Sequence, residues 1–302
     1  MKYVVDIRSL EQFTYSIGSY SQYLIQEFEG QLFHYTDLNA LTNIINTSDI
    51  WLTNSLYSND AHEMTHGYEI TKAVIEEKRK ASKDRAFRSY LKQVARFVDE
   101  RPKGVYICCF CEEDNLLSQW RSYGENGTGV SIGFDPTGFA AYSGPDLPPN
   151  KIGLMRLWKV FYNTATQKDI VEKALELIPQ LNANDSNIAK ARKAADAIHF
   201  FIPTFKNKDF EEEKERRLIF TPSPECTISP SFRVRKGMLV PYYSLKSLGQ
   251  EVYGKGRNLP ISNITLGPSA WSRLNLESTK MLLQQNDYQN VPVSVSDTPY
   301  RG

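Results

Sequence analysis

The chain has 302 residues, 41% hydrophobic and 24% charged, which is typical of a folded protein with a large core. A formal net charge of +1 excludes a strong overall attraction to nucleic acid, so a nucleic-acid partner is possible but not indicated. We expect no membrane association, because no apolar run approaches the roughly 20 residues of a membrane-spanning helix. Asp6 and Glu11 interrupt any signal peptide, and three of the four cysteines crowd into one predicted strand, so we expect a cytoplasmic location.

The first half of the chain predicts strands and helices in an irregular order. Residues 1–30 are expected to form a lead-in segment before a single catalytic-type domain over residues 31–302. A strand at 31–36 is followed by a helix that Asp37 caps and that continues to Ile45. Asp84 begins a helix with an apolar stripe at helical spacing. The other elements predicted in this half are strands at 50–54, 104–111 and 128–134 and helices at 61–80 and 116–123.

The second half combines a long helical region with further strands. Residues 168–207 are mostly helical, with breaks predicted at Pro179 and at 182–185. Strands are predicted at 155–162, 214–220, 232–241, 261–266 and 291–295, and a helix at 271–285. Because strands cluster between helices without βαβ alternation, the fold class is α+β, with mixed, mainly antiparallel sheets flanked by helices and a helical insertion near 165–207.

The strand at 128–134 has one face made only of small residues. Gly129, Ser131 and Gly133 alternate with larger apolar residues. A strand face of this kind lets another group approach the backbone closely. Both a packed helix and a bound ligand fit the pattern, so Ser131 is a candidate binding residue.

The sequence His62-Glu63-Met64-Thr65-His66 fits the zinc motif H-E-x-x-H, in which two imidazoles one helical turn apart bind the metal. The motif directly follows a predicted helix cap at Asn59-Asp60, whereas zinc proteases usually hold it in an apolar setting. A third ligand is needed, and the nearby Glu69 is only three residues beyond His66. We therefore expect no metal and favour a solvated helix face or a polar cluster that faces the substrate, with His62 and His66 as the alternative metal ligands.

The segment from Phe210 to Phe220 carries a denser set of charges. If it is extended, Glu213, Glu215 and Arg217 share one face. Carboxylates spaced in this way repel each other, which raises one pKa, and the adjacent arginine opposes that rise. Such a trio suits a site that holds a carboxylate against a sugar hydroxyl or a developing cation, and the alternative is an edge strand with surface ion pairs.

These residues together resemble a bacterial family grouped as domain of unknown function 2971. The resemblance runs from about Leu32 to the C-terminus and includes many short matches in order. One departure is Ala61, which stands where the family pattern Asn-Asp-Pro-x-Glu has proline. The matching residues are Phe33-His34-Tyr35-Thr36, Ile50-Trp51-Leu52, Ser58-Asn59-Asp60, Glu63, Cys109-Phe110-Cys111, Ser118-Gln119-Trp120, Tyr123, Gly129, Gly133-Phe134-Asp135, Phe210, Glu213, Glu215, Arg217, Leu266-Gly267-Pro268, Ser296 and Pro299-Tyr300-Arg301.

The layout of that family is similar to ADP-ribosyltransferases of the His-Tyr-Glu type, and the resemblance implies a core of that kind. By this resemblance, His34 and Thr36 would hold the adenosine ribose of NAD, and Glu215 or Glu213 would be the catalytic carboxylate. Tyr35, Trp120 and Tyr123 would offer aromatic surface, and Ser131 and Arg217 complete the set of candidate binding residues.

The implied function is an NAD-consuming ADP-ribosyltransferase or NAD glycohydrolase, with NAD as its substrate and small-molecule nucleotide partner and with an unknown acceptor. Two alternatives stay open at this point. One is a zinc-dependent hydrolase that uses His62, Glu63 and His66, and the other is a non-catalytic nucleotide-binding module. The position of His34 relative to Glu215 separates these hypotheses, because the transferase requires both residues in one cleft.

Overall fold

The computed structural model of the protein describes residues 30–57, 61–100, 104–139, 152–223, 225–253, 258–269 and 271–298, and of residues 61–63 and 250–253 it describes the backbone alone. The predicted lead-in segment, apart from Gly30, lies outside these residues, as do the predicted cap at Asn59-Asp60 and the terminal Pro299-Tyr300-Arg301. The first half contains β1 (Leu32–Thr36), α1 (Leu38–Thr47), β2 (Trp51–Asn54), α2 (Ala61–Ala81), α3 (Arg85–Asp99), β3 (Tyr106–Cys111), α4 (Leu117–Ser122) and β4 (Val130–Phe134).

Among the described residues, the second half adds six strands and four α-helices. Short 3-10 helices occur at Ser55–Tyr57, Glu125–Gly127, Ile202–Thr204 and Lys208–Glu213. The elements are β5 (Gly153–Lys159), α5 (Thr164–Leu181), α6 (Asn187–Phe201), β6 (Glu215–Pro222), β7 (Ser231–Arg235), β8 (Met238–Ser244), α7 (Leu245–Tyr253), β9 (Ile261–Leu266), α8 (Ser272–Gln285) and β10 (Val293–Val295).

All ten of these strands join one branched sheet. Its main order is β10-β9-β4-β1-β3-β2-β8-β7, and β6 branches from β3 and pairs in turn with β5. Among the described strands, only β9 and β10 run parallel to each other. A mixed α and β architecture with a mainly antiparallel sheet is thereby confirmed.

Besides a small cluster around Trp120, two large apolar cores hold the described residues together. One lies against the sheet and is formed by residues such as Leu32, Ile132 and Phe220 together with apolar residues of α1, α7 and α8. The other lies between α2, α3, α5 and α6 and includes Val94 and Ala194. The helices at 164–201 therefore pack with the earlier helices α2 and α3 and share one core with them. Within the described ranges, no helix has both the length and the apolarity needed to cross a membrane.

The predicted break at Pro179 is wrong, because α5 continues through it to Leu181. Proline lacks the N–H that would bond to the carbonyl of Leu175 one turn earlier. The hydroxyl of Tyr90 on α3 donates to that carbonyl at 3.2 Å. A neighbouring helix thus satisfies the group that the proline leaves unpaired, and the buried face of α5 remains packed. The predicted break at 182–185 is confirmed.

The single strand predicted at 232–241 is instead the hairpin β7–β8. Val234 pairs with Leu239 and Arg235 with Met238, so Lys236 and Gly237 form a two-residue turn. Both have positive φ angles, 48° and 76°, as a type I′ turn requires. Lysine is an unusual residue at such a position, which is why the turn was not predicted. The helix α7 was also missed.

We predict that Tyr90→Phe lowers the free energy of unfolding by about 1–3 kcal/mol, because it leaves the buried carbonyl of Leu175 without its hydroxyl donor. Urea denaturation measures the change. Pro179→Ala restores the N–H to the helix, so Tyr90→Phe should cost less in that background. An equal cost in both backgrounds would contradict this explanation of the continuous helix.

Candidate functional site

The candidate site lies where the sheet opens beside β3. Strand β6 pairs with β3 from Tyr106 to Cys111 and so occupies one whole edge. The other edge is shared: β1 pairs with it at Cys111, and β2 pairs with it at Tyr106 and Ile107. Strands β1 and β2 diverge between these points, and a cleft of about 490 Å³ opens there.

His34 lies on β1 at this opening. Its Nδ1–H donates to the carbonyl of Cys109 on the divergent edge of β3, at 2.9 Å. The ring is half-buried and meets Phe110 edge-on, with 5.9 Å between the ring centroids. Burial lowers the pKa of His34, the bond to Cys109 opposes this, and the charge of Arg233 lowers it further. The imidazole is therefore neutral at pH 7, and its Nε2 is a hydrogen-bond acceptor.

Two carboxylates line the same cleft and share one lysine. The Nζ of Lys206 lies 2.5 Å from Oε2 of Glu213 and 3.0 Å from Oε2 of Glu215. Arg217 donates two hydrogen bonds to Glu215, one from Nε to Oε1 at 2.7 Å and one from a terminal nitrogen to Oε2 at 2.9 Å. All four side chains are nearly enclosed by protein. This charge cluster of two anions and two cations is formally neutral.

The charge cluster holds Glu215 in its ionised form. Burial by itself raises the pKa of Glu215, but the charges of Arg217 and Lys206 and the hydrogen bonds from Arg217 and the Cys109 thiol lower it to about 2. A carboxylate with so low a pKa is a poor proton acceptor at pH 7. Its chemical capacity is to stabilise nearby positive charge and to accept hydrogen bonds.

The extended trio predicted at Glu213, Glu215 and Arg217 is only partly correct. Glu215 and Arg217 share one face of β6, but Glu213 ends a 3-10 helix, and Lys214 follows with a φ of 44°. Glu213 reaches the site because the chain turns at Lys214. Lys206, which joins the two carboxylates, was not predicted, because it lies in an irregular segment that no periodicity describes.

The backbone beneath Lys206 is held by the helices. Gln167 of α5 donates from Nε2 to the carbonyls of Lys206 and Phe161, at 2.8 and 2.5 Å. His66 of α2 donates from Nε2 to Oε1 of the same glutamine, at 3.0 Å. One histidine of the zinc-like motif therefore supports the charge cluster through Gln167.

The rest of the zinc-like motif, the side chains of His62 and Glu63, lies outside the described residues. Among the side chains that are described, no three His, Cys, Asp or Glu residues group as metal ligands. The four cysteines all lie in described ranges, and no disulfide bond joins them there.

Three candidate binding residues lie on the other face of β1 and β4. Trp120 has 0% exposure, and its indole N–H donates to Asn115 at 3.1 Å. The hydroxyl of Tyr35 donates to the carbonyl of Glu113 at 3.0 Å, and its ring meets Trp120 edge-on. Ser131 is fully buried and lies opposite Tyr35 in the strand pair. Trp120 and Ser131 are thus part of a core and present no surface to a ligand, which corrects their predicted role.

The small-residue face of β4 also has a different explanation from the two predicted. A Cβ at Gly129 would lie 2.2 Å from the carbonyl of Thr36 on β1. A Cβ at Gly133 would lie 2.0 Å from the side-chain oxygen of Asn263 on β9. Neighbouring strands, and neither a helix nor a ligand, therefore make the close approach.

The remaining candidates divide between the cleft and the interior. Thr36 and Tyr123 line the cleft, and the Tyr123 hydroxyl lies 3.5 Å from Oε1 of Glu213. Tyr123 is 38% exposed, so its ring is available to a ligand. Arg217 is almost fully buried and also bonds to the carbonyl of Pro203 at 2.8 Å. It positions Glu215 and does not reach the cleft.

The far wall of the cleft was not predicted. Trp51 of β2 stacks on Tyr242 of β8, with 4.3 Å between the ring centroids. Arg233 of β7 lies 5.4 Å from the centre of the Trp51 ring and donates to Thr53 at 2.8 Å. Arg235 lines the cleft beside it. The only available signal was the alternation of Arg233 and Arg235 along a predicted strand, which places both on one face.

Comparison with known families finds a match to part of the chain. Residues 119–218 match the model of the family described as Protein of unknown function (DUF2971). These residues run from α4 to the middle of β6 and include Tyr123, Lys206, Glu213, Glu215 and Arg217. The resemblance to this family is thereby confirmed over them. Neither the curated proteins nor the solved structures include a match to the chain.

We predict that the pKa of His34 lies below 6.5. Burial destabilises the charged imidazolium, and this effect outweighs the stabilisation from the hydrogen bond to Cys109. NMR titration of the imidazole resonances measures it, and His34→Gln identifies the His34 signal among the four histidines. A pKa of 6.5 or higher would contradict the enclosed, neutral imidazole.

We predict that Glu215→Gln lowers the free energy of unfolding by about 3–5 kcal/mol at pH 7, because it leaves Lys206 and Arg217 buried without their shared carboxylate. The deficit should shrink as the pH falls. The stabilisation from the depressed pKa of Glu215 is complete above its ordinary value of 4.5 and is lost toward pH 2.

The matched control is Glu113→Gln. Glu113 pairs with Lys214 at 2.6 Å on the surface, where both side chains are about half exposed. Removing that pair should change the free energy of unfolding by less than about 1 kcal/mol. Equal losses for the two variants, measured in urea across pH 2 to 7, would contradict a tightly coupled charge cluster.

Proposed function

We propose that the cleft binds NAD and that the protein cleaves the nicotinamide–ribose bond, as an ADP-ribosyltransferase or an NAD glycohydrolase with an ADP-ribosyltransferase-like core. The observation that carries the proposal is that His34, Glu213 and Glu215 line one cleft. Its volume of about 490 Å³ lies within the usual range of small-molecule sites. A cytoplasmic location is part of the proposal, and cysteines that form no disulfide bond within the described residues are compatible with it.

The carboxylate end of the cleft suits the charge that the reaction develops. As the glycosidic C–N bond breaks, its electron pair moves to the nicotinamide nitrogen, and the ribose becomes oxocarbenium-like, as in glycoside hydrolysis. Glu213 and Glu215 are the proposed catalytic carboxylates. An ionised carboxylate fixed near the ribose stabilises that cation and accepts hydrogen bonds from its hydroxyls.

The two carboxylates would divide these tasks. Arg217 and Lys206 both donate hydrogen bonds to Glu215, so this residue contributes a fixed negative charge. The bond from Tyr123 to Glu213 is long, at 3.5 Å, and a ribose hydroxyl can replace it at little cost. Glu213 is therefore the better placed of the two to contact the substrate.

The other candidate residues take positions around the substrate. His34 offers Nε2 as an acceptor to a hydroxyl of the adenosine ribose, and Thr36 lines the cleft two residues further along β1. Tyr123 offers an exposed ring on which nicotinamide can stack. An acceptor nucleophile, or water, then forms the new bond to the ribose carbon and loses a proton.

A non-catalytic nucleotide-binding protein is the second candidate. The observation in its favour is the tight pairing of Glu215, which has both carboxylate oxygens bonded to cations. A carboxylate held in this way can have a purely structural role. Nucleotide binding without turnover would favour this candidate.

We predict that Glu213→Gln lowers the rate of nicotinamide release from NAD about 100-fold or more, while the free energy of unfolding changes less than in Glu215→Gln. The reason is that loss of one preorganised electrostatic group in an active site costs about 100- to 1000-fold. Chromatography of nicotinamide from labelled NAD, with cell extract as a source of acceptor, measures the rate.

The matched control is Glu277→Gln, which removes an exposed carboxylate of α8 that pairs with Lys280. It should leave the rate unchanged.

His34→Ala should weaken NAD binding and lower the rate, because Nε2 no longer holds the ribose. Full activity in both Glu213→Gln and His34→Ala would remove the proposed function.

A further inference from the structure

The two ends of the cleft differ in how their charges are satisfied. At the carboxylate end, Lys206 and Arg217 are matched by Glu213 and Glu215. At the opposite end, the two cations of β7 lie on one face of the strand. Arg233 and Arg235 take part in no ion pair among the described residues, and both line the cleft.

Arg233 is held in place by groups that leave its charge unneutralised. One terminal nitrogen donates to the Thr53 hydroxyl at 2.8 Å, and the guanidinium lies against the Trp51 ring. Its buried Nε–H has no acceptor among the described groups. Burial lowers the pKa of Arg233, and so does the charge of Arg235 beside it. Two adjacent cations that repel each other in a partly buried cleft favour an anion between them.

The nearest acid does not fill that role. Asp37 lines the cleft and its charge acts on Arg233, but its Oδ1 accepts a hydrogen bond from the backbone N–H of Ala40 at 2.7 Å. It is the cap of α1 and forms no ion pair with either arginine among the described contacts. Asp49, which also lines the cleft, accepts from the backbone N–H of Lys246 at 2.9 Å, so among the described contacts neither arginine charge is neutralised by a direct ion pair.

We infer that Arg233 and Arg235 form a subsite for the pyrophosphate of the dinucleotide, an inference that rests on the proposed function. Residues two apart on a strand are about 7 Å apart, which lets two guanidinium groups flank one pyrophosphate. Guanidinium groups bind phosphate oxygens through two parallel hydrogen bonds. The two-residue turn at Lys236-Gly237 keeps the hairpin short, so both arginines are positioned on a paired strand.

This subsite assigns the two ends of the cleft to different parts of the substrate. Because the pyrophosphate joins the two riboses, the dinucleotide bends at the β7 hairpin, so that the adenosine ribose reaches His34 and the nicotinamide ribose reaches Glu213. The substrate class is then a nucleotide that carries a diphosphate, and a free nucleoside lacks the group that the arginine end recognises.

Calorimetry with inorganic pyrophosphate, ADP-ribose and nicotinamide riboside tests the inference on the whole chain. The protein should bind the two diphosphates, and Arg233→Gln and Arg235→Gln should each weaken that binding about 10- to 100-fold, the factor that one charged hydrogen bond supplies. Binding of the riboside should not change. Arg235→Gln breaks no side-chain hydrogen bond or ion pair among the described residues, so its result stands even if Arg233→Gln fails to fold.

The matched control is Arg273→Gln, which removes an exposed arginine of α8 outside the cleft and should leave all affinities unchanged. Equal diphosphate affinity in Arg233→Gln, Arg235→Gln and the unsubstituted protein would overturn the inference, as would no diphosphate binding at all. If NAD is cleaved with an unchanged KM in both variants, the proposed function stands and this inference fails. If diphosphates bind through the arginines but NAD is not cleaved, the diphosphate subsite stands and the proposed function fails.

Discussion

The ammonium group of Lys206 is the point on which the site depends. It lies between Glu213 and Glu215, and Arg217 completes a cluster whose charges cancel. Buried charges are tolerated only when each is paired and hydrogen-bonded. Removal of one member therefore leaves another charge buried without a partner, which destabilises the fold. The cluster also joins the two cores of the molecule, because Gln167 of α5 holds the backbone of Lys206 while Glu215 begins β6.

The second constraint is the shared edge of β3. Because β1 and β2 each take only part of that edge, the sheet opens between them, and His34 fills the opening from β1. The backbone carbonyl of Cys109, which a full strand partner would otherwise bond, accepts from His34 instead. Departure from regular pairing therefore creates both the cleft and the orientation of its histidine.

Much of this arrangement could be predicted from local patterns. Periodicity located β1, β2, β3 and β6, and Asp37 and Asp84 were correctly identified as helix caps. His34 was identified through the family resemblance, since it does not stand out in its own segment, whereas Glu215 was first singled out by the alternation of charges from Glu213 to Arg217. Trp120 was placed in the site wrongly, because a motif match does not report whether a side chain faces the cleft or the interior.

The rest depends on contacts between distant parts of the chain. Lys206 follows an apolar run and gains its role only when Glu213 turns back toward it at Lys214. Arg233 reaches the cleft because the unpredicted hairpin pairs with β2, where its hydrogen-bond partner Thr53 lies 180 residues earlier in the chain. The continuity of α5 through Pro179 likewise depends on Tyr90, which lies on another helix. Periodicity describes one element at a time and carries no information on such pairs.

The central claim is that the opening beside β3 holds a dinucleotide between its carboxylate and arginine ends. A crystal structure of the protein with ADP-ribose tests this most directly. The account predicts ligand density between β1, β2 and β3, with the diphosphate at Arg233 and Arg235, the adenosine ribose near His34 and the second ribose near Glu213. Density for ADP-ribose elsewhere on the molecule, with the cleft filled only by solvent, would contradict it.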